Sequence, residues 1–192
     1  MFIIKKKYYL IIENTKDIKL NNIKKKNKFT IIYRNDKTKE KIDDLNRFRA
    51  ECKNKKIKLF IANNIKLAIK LGSDGIYISA HNKNLKFNRY ISNKFKVIGS
   101  AHNLREIDIK KRQGCTNIFL SRLFKTDYAY KNGYLGLIRF NLFKKNFQNC
   151  NLSPLGGIRL SNLNKIKDVN CSSFVILSEV KKKPAKIFSR LF

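Results

Sequence analysis

Arg34 closes the strand-like run FTIIYR, and a guanidinium at that point is suited to gripping a phosphate through two parallel hydrogen bonds. A surface ion pair with Asp36 or another nearby acid would explain the same residue equally well. A second pole lies at Gly156-Gly157, toward the end of LSPLGGI, and at Leu177-Ser178 in SFVILSEV. Glycine lets a ligand reach backbone N–H groups, and a chain with only eight glycines places two of them together here. A tight turn is the bland alternative. His102 stands at a predicted strand end, and His81 in the loop after the fourth strand. Either imidazole could act as general acid or base near neutrality, or serve structure alone. Paired carboxylates, metal-ligand spacings and a nucleophile elbow are absent from the pattern. The acids near predicted strand ends are Glu13, Asp36, Asp127 and Glu179.

An alternation of strands and helices must position these residues. It is clearest from Lys58 to Ser79, KLFIANNIKLAIKLGSDGIYIS. Leu59 to Ala62 reads as a strand, and Asn63-Asn64 ends it. Ile65 to Leu71 reads as a short, largely buried helix, with Gly72 placed to stop it. Ile76 to Ser79 is a second strand, so the unit is βαβ and its strands are parallel. Six further strands are predicted at 8–13, 29–34, 96–102, 117–124, 152–158 and 173–180. Helices fall over 39–55, 104–113, 137–149, 161–169 (with Ser161 as N-cap) and 184–192. Residues 14–28 give a weak helix, and 82–94 are polar and irregular. The segment KTDYAYKNGYLG (125–136) is polar, aromatic and long enough to be a binding element. Phe140, Phe143 and Phe147 recur at helical spacing and are expected in the core. Eight strands alternating with helices predict an α/β fold, a single compact (β/α)8 TIM barrel of parallel strands over residues 1–192, with its site at the C-terminal strand ends. An open doubly wound sheet is the alternative, but no GxGxxG or GxxxxGK[ST] follows any strand.

Composition narrows the function classes. Of 192 residues, 43% are hydrophobic, too many for a disordered chain. The formal net charge is +31. Lysines are spread through all elements and accompany no zinc-finger or RNP-type motif. Heavy use of Lys, Asn and Ile together points to A/T-rich codons rather than to dedicated nucleic-acid recognition. The field would still draw in phosphorylated ligands. Cys52, Cys115, Cys150 and Cys171 are isolated and read as small buried hydrophobes. MFIIKKKYYLIIE is a poor signal peptide, and no apolar run is long enough to span a bilayer, so a cytoplasmic protein is expected.

In order along the chain, YYLIIE, YRND, IANNIKLAIKLGSDGIYIS, VIGSAHN, SRLFKTDYAYKNGYLG, LGGI and VILSEV resemble the thiamine phosphate synthase/thiazole tautomerase (TenI-type) family of small (β/α)8 barrels. The resemblance implies a role in thiamine biosynthesis or salvage. In the synthase, a thiazole phosphate carboxylate is joined to hydroxymethylpyrimidine diphosphate with release of pyrophosphate and use of Mg²⁺. The tautomerase moves a double bond in the thiazole precursor. Carried over by position, Arg34 and Asn63 would meet the pyrimidine diphosphate, and Thr126 would line the pyrophosphate loop. Gly156, Gly157, Leu177 and Ser178 would offer N–H groups to the thiazole phosphate. Several positions depart from the family pattern. Ile32 and Asp36 replace the usual glutamine and lysine around the arginine. Asn64 and Asn82 replace the two magnesium aspartates, so Mg²⁺ has weak protein ligands. The loop lysine falls at Ala129, with Lys131 as substitute. The tautomerase histidine falls at Arg122, which stays protonated and makes a poor base. The catalytic candidates are His102 and Arg122. Expected partners are phosphorylated thiazole and pyrimidine precursors, with a homo-oligomer allowed, no membrane and no specific nucleic acid. Three readings follow: a diverged synthase, a tautomerase-like or merely ligand-binding member, and a basic nucleic-acid-binding barrel.

Overall fold

Short runs of β-branched and aromatic residues bury both faces when a parallel sheet closes on itself, and that is the use this chain makes of them. The computed structural model describes residues 7–23, 28–35, 40–90, 95–126, 133–147 and 150–177. Its strands are β1 (Lys7–Ile12), β2 (Phe29–Tyr33), β3 (Lys58–Ala62), β4 (Gly75–Ile78), β5 (Lys96–Ala101), β6 (Asn117–Ser121), β7 (Asn151–Leu155) and β8 (Ser173–Ile176). They form a closed barrel in chain order, and every pair is parallel, including β8 with β1. The helices are α1 (Ile42–Asn54), α2 (Ile65–Lys70), α3 (Leu104–Arg112) and α4 (Gly136–Asn146). Elsewhere, 3-10 turns take the place of helices, at Thr15–Asp17, Leu20–Asn22, Leu85–Tyr90 and Leu160–Asp168. The expected TIM barrel is the observed fold.

Period-two alternation divides the core. One cluster fills the barrel interior and includes Ile11, Ile32, Phe60, Tyr77, Phe119 and Val175. The other lies between the sheet and its outer ring, where Leu45, Phe48 and Cys52 of α1 and Phe140 of α4 are buried. Phe143 and Phe147 pack partly buried against that cluster, so the phenylalanine row belongs to the core. Cys52, Cys115 and Cys171 are buried free thiols, and Cys150 is half-buried. Burial pushes the Cys52 and Cys115 thiols up to about 12, which keeps them protonated.

The βαβ unit forms as its residues predict. Phe60, Ile61 and Ala62 pair with Gly75, Ile76 and Tyr77. Gly72 follows α2 at φ +55, and the Asn64 side chain caps the helix start. Arg49 of α1 pins the return to β4. It donates to Asp74 at 2.8 Å and to the Gly72 carbonyl at 2.7 Å, while Asp74 also accepts the Leu59 N–H at 2.8 Å.

Four expectations need correction. The helix over 65–71 is not largely buried: Ile69 is 61% exposed, and Ala68 is the buried residue within α2. Strand β6 stops at Ser121, before Arg122, because the chain leaves the sheet there to enter the loop. Residues 14–23 form two 3-10 turns rather than a weak α-helix. Ser161 does not cap its helix; Arg159 is the N-cap, and its N–H donates to the Asn162 side chain at 2.8 Å. The predicted helix over 184–192 lies outside the described residues.

Candidate active site

All eight strands run the same way, so the residues that follow them surround one mouth. Arg34, Asn63, His102, Arg122, Gly156 and Leu177 each stand just beyond a strand, and Gly157 follows Gly156. Thr126 is further out, on the loop after β6. Lys131 and Ser178 lie outside the described residues. The Arg34 N–H donates to the Ile12 carbonyl at 2.8 Å, which holds its backbone beside the end of β1. Ile32, where the family pattern has glutamine, is fully buried in the inner cluster. An apolar side chain therefore floors the mouth beneath Arg34. Beside it, burial and then the Glu40 carboxylate push the Tyr33 phenol up, so it stays protonated and serves only as a neutral hydrogen-bonding group.

The amide-rich corner is a structural knot. Asn63 sits at φ +55, a left-handed conformation that asparagine tolerates better than most residues. Its N–H donates to the Tyr77 carbonyl at 2.8 Å. Its Oδ1 accepts the Ser79 N–H at 3.0 Å and the Asn82 Nδ2 at 3.3 Å, while its Nδ2 donates to the Ser79 Oγ at 3.0 Å. The ends of β3 and β4 and the loop beyond are thus joined through one side chain. Ser79, two residues after Tyr77, lies on the inward face, and no motif marks its contact with Asn63.

A divalent cation does not fit the residues at the metal positions. The Asn64 Oδ1 accepts the Leu67 N–H at 2.9 Å, and the Asn82 Oδ1 accepts the Asn84 N–H at 3.1 Å. Both oxygens are neutral and already engaged in local turns, whereas Mg²⁺ demands carboxylate or phosphate oxygens in near-octahedral array. Among the described residues no group of three His, Cys, Asp or Glu side chains could hold a metal ion.

His102 is drawn into helix capping. The Glu106 Oε2 accepts the His102 N–H at 2.7 Å and lies 3.1 Å from Nδ1, while Asn103 caps α3 by accepting the Glu106 N–H at 2.9 Å. The imidazole remains 44% exposed at the rim. His81 is exposed.

The opposite side of the mouth is where cation and bare backbone meet. Gly156 and Gly157 both have positive φ, +93 and +69. A Cβ on Gly156 would lie 3.1 Å from Arg122 Cγ, and one on Gly157 would lie 2.5 Å from the Phe124 carbonyl oxygen. The Phe124 N–H donates to the Gly156 carbonyl at 3.1 Å, so the β6 loop is laid directly on the glycine turn. Arg122 Nη1 approaches Thr126 Oγ1 at 3.4 Å. This brings Arg122, Thr126, Gly156 and Gly157 into one group: a guanidinium and a hydroxyl beside a glycine turn, with the Phe124 and Lys125 carbonyl oxygens packed against Gly157. Such a group can receive an anion and cannot act as a base.

A family model described as thiamine monophosphate synthase matches residues 3–180. A thiamine-phosphate synthase from Prochlorococcus marinus is 28% identical over 132 residues, 67% of this chain and 37% of that protein. One from Clostridium acetobutylicum is 27% identical over 129 residues, covering 65% and 59%. The matched stretch thus spans about 37% and 59% of the lengths of these two relatives. Among solved structures, a thiamine phosphate pyrophosphorylase from Pyrococcus furiosus superposes with a TM-score of 0.70 over 98% of both chains at 15% identity, a likeness of fold.

Proposed function

This chain belongs to the thiamine monophosphate synthase family, and on that premise we propose that it is a diverged thiamine-phosphate-synthase-like protein of thiamine biosynthesis or salvage that binds thiazole phosphate at the β7–β8 side of the mouth. The observation that carries the reading is the packing of Arg122 against Gly156, with Gly157 beneath the Phe124 and Lys125 carbonyls. The thiazole phosphate would take N–H groups from Gly156, Gly157, Leu177 and Ser178, with Arg122 and Thr126 within reach of its charge. Arg34, across the mouth, would hold the pyrimidine diphosphate beside Asn63.

In the proposed reaction the thiazole nitrogen attacks the pyrimidine methylene carbon. A C–N bond forms as the C–O bond to the diphosphate breaks, and pyrophosphate leaves with the electron pair; a carboxylate on the thiazole then leaves as CO₂, and the electron pair left on the ring carbon takes a proton from water. The departing group gains negative charge, so the cations Arg34 and Arg122 would supply what the described residues offer to the transition state, with Lys131, outside them, as the expected loop cation. Mg²⁺, when present, would neutralise the same charge, held by the diphosphate rather than by Asn64 or Asn82. The tautomerase alternative needs a base where Arg122 stands, and a guanidinium does not release its proton.

The test is a turnover assay with both phosphorylated precursors, read as pyrophosphate release with and without Mg²⁺. Thiamine phosphate formation at a low rate with shallow Mg²⁺ dependence supports the reading. Saturable thiazole phosphate binding without turnover would leave a ligand-binding member, and no binding of either precursor would overturn it.

A further inference from the structure

The opposite end of the barrel carries a second cluster of cations. In β1, β3 and β5 the residues Tyr9, Phe60 and Ile98 pack in the inner cluster. Side chains two residues apart in a strand share a face, so Lys7, Lys58 and Lys96 occupy inward-face positions at the strand starts, where all three are exposed at the barrel's end. These lysines rim a cavity of ≈ 490 Å³. No carboxylate is among the described residues that line it. Its floor is polar and built: Asn117 Nδ2 donates to the Tyr9 hydroxyl at 3.3 Å and to Ser173 Oγ at 3.4 Å, and Ser153 Oγ donates to Asn117 Oδ1 at 2.9 Å. Asn117, Ser153 and Ser173 are each buried.

Lys56, just before β3, joins the three, so four lysines line this one cavity. Ammonium groups gathered on one rim with no carboxylate among its described lining repel one another, and a multivalent anion relieves that repulsion while a neutral ligand does not. We propose that the N-terminal mouth of the barrel is a second anion site, which takes a compact phosphate or diphosphate group between Lys7, Lys58 and Lys96 above the Asn117–Ser173 floor. It is independent of the glycine turn at the other mouth.

The test is a titration of the full chain with inorganic pyrophosphate at fixed ionic strength, followed by amide NMR. Saturable shifts at Lys58, Asn117 and Ser173 are expected. The paired change Lys58→Thr and Lys96→Thr should weaken binding reported there by about tenfold or more. The same charge loss on the exposed face of α2, Lys66→Thr with Lys70→Thr, should change it by less than about twofold, since those groups act only at long range. Lys58→Arg with Lys96→Arg should retain binding, which separates loss of charge from loss of fold. Gly157→Ala should leave these shifts unchanged. Equal weakening by the α2 pair, or shifts confined to Gly156 and Gly157, would overturn the proposal.

Discussion

Asn82 donates from Nδ2 to the Oδ1 of Asn63 across 3.3 Å, binding a metal-position residue to a residue beside the proposed diphosphate site. Its own Oδ1 is held by the Asn84 N–H, and its carbonyl accepts from Lys110 Nζ at 2.7 Å and Gln113 Nε2 at 2.9 Å. The position that the family resemblance matches to a magnesium aspartate here fastens a loop. The loop is held from below by a lysine and a glutamine that are both completely buried.

Restoring the acids should separate these roles. Asn64→Asp keeps the helix cap, because aspartate caps as well as asparagine. Asn82→Asp exchanges a donor for an acceptor opposite Asn63 and should cost about 1 kcal/mol of stability by denaturant titration. Together the two changes should raise Mg²⁺-dependent pyrophosphate release. Robust magnesium-dependent turnover by the wild type, reduced in the double variant, contradicts this and returns the full synthase assignment.

Gly157→Ala places a Cβ 2.5 Å from one carbonyl oxygen and 2.6 Å from the next, at φ +69. Backbone cannot yield there as a flexible side chain would, so the β6 loop must move. A loss of about 2 kcal/mol in stability is expected, since strain at positive φ adds to the overlap. Thiazole phosphate affinity should fall at least as steeply. An alanine variant as stable and as tight-binding as the wild type would remove the glycine turn from the site.

Lys110 gives a pH signature. Burial lowers its pKa to about 8, and the opposing pull of the Glu106 carboxylate is weaker. Between about 8 and the ordinary value of 10.5 the folded amine is neutral while the unfolded one keeps its proton. The unfolded state then binds more protons, so stability rises with pH through that window. Relative to Lys110→Met, the wild type should gain about 2 kcal/mol between about pH 7.5 and about pH 9.5. Chemical denaturation of both proteins across that range checks it, and parallel stability curves would refute the burial of a titrating amine.

Nucleic-acid binding should be weak, blind to sequence and lost at physiological salt, because the lysines are dispersed and no base-reading motif accompanies them. Fluorescence anisotropy with duplex DNA and single-stranded RNA across a salt series measures this. A nanomolar, sequence-selective complex at physiological salt would show otherwise.

The barrel was legible because its signal is local. Runs such as FTIIY and GIYI are strand-forming on their own, and asparagines or glycines mark the handovers. Helices were less legible: Leu160, Leu163 and Ile166 recur every three residues and form a 3-10 helix, and α2 exposes Ile69 although its composition reads as buried. At the candidate site, motif order nominates Arg34, Asn63 and the glycine pair. It could not give the Ser79 contact with Asn63 or the engagement of His102 by Glu106, because side-chain pairing across a turn leaves no periodic trace. The inward lysines were readable in principle from alternation with Tyr9, Phe60 and Ile98, but a net charge of +31 hides any three of them.

The glycine turn beside Arg122 is proposed to hold thiazole phosphate without a protein-bound metal. Calorimetric titration of the full chain with thiazole phosphate, in magnesium and in chelator, decides this. Saturable one-to-one binding of equal affinity in both buffers, lost in Gly157→Ala, is the predicted result. Binding that appears only with Mg²⁺, or that survives Gly157→Ala unchanged, would contradict it.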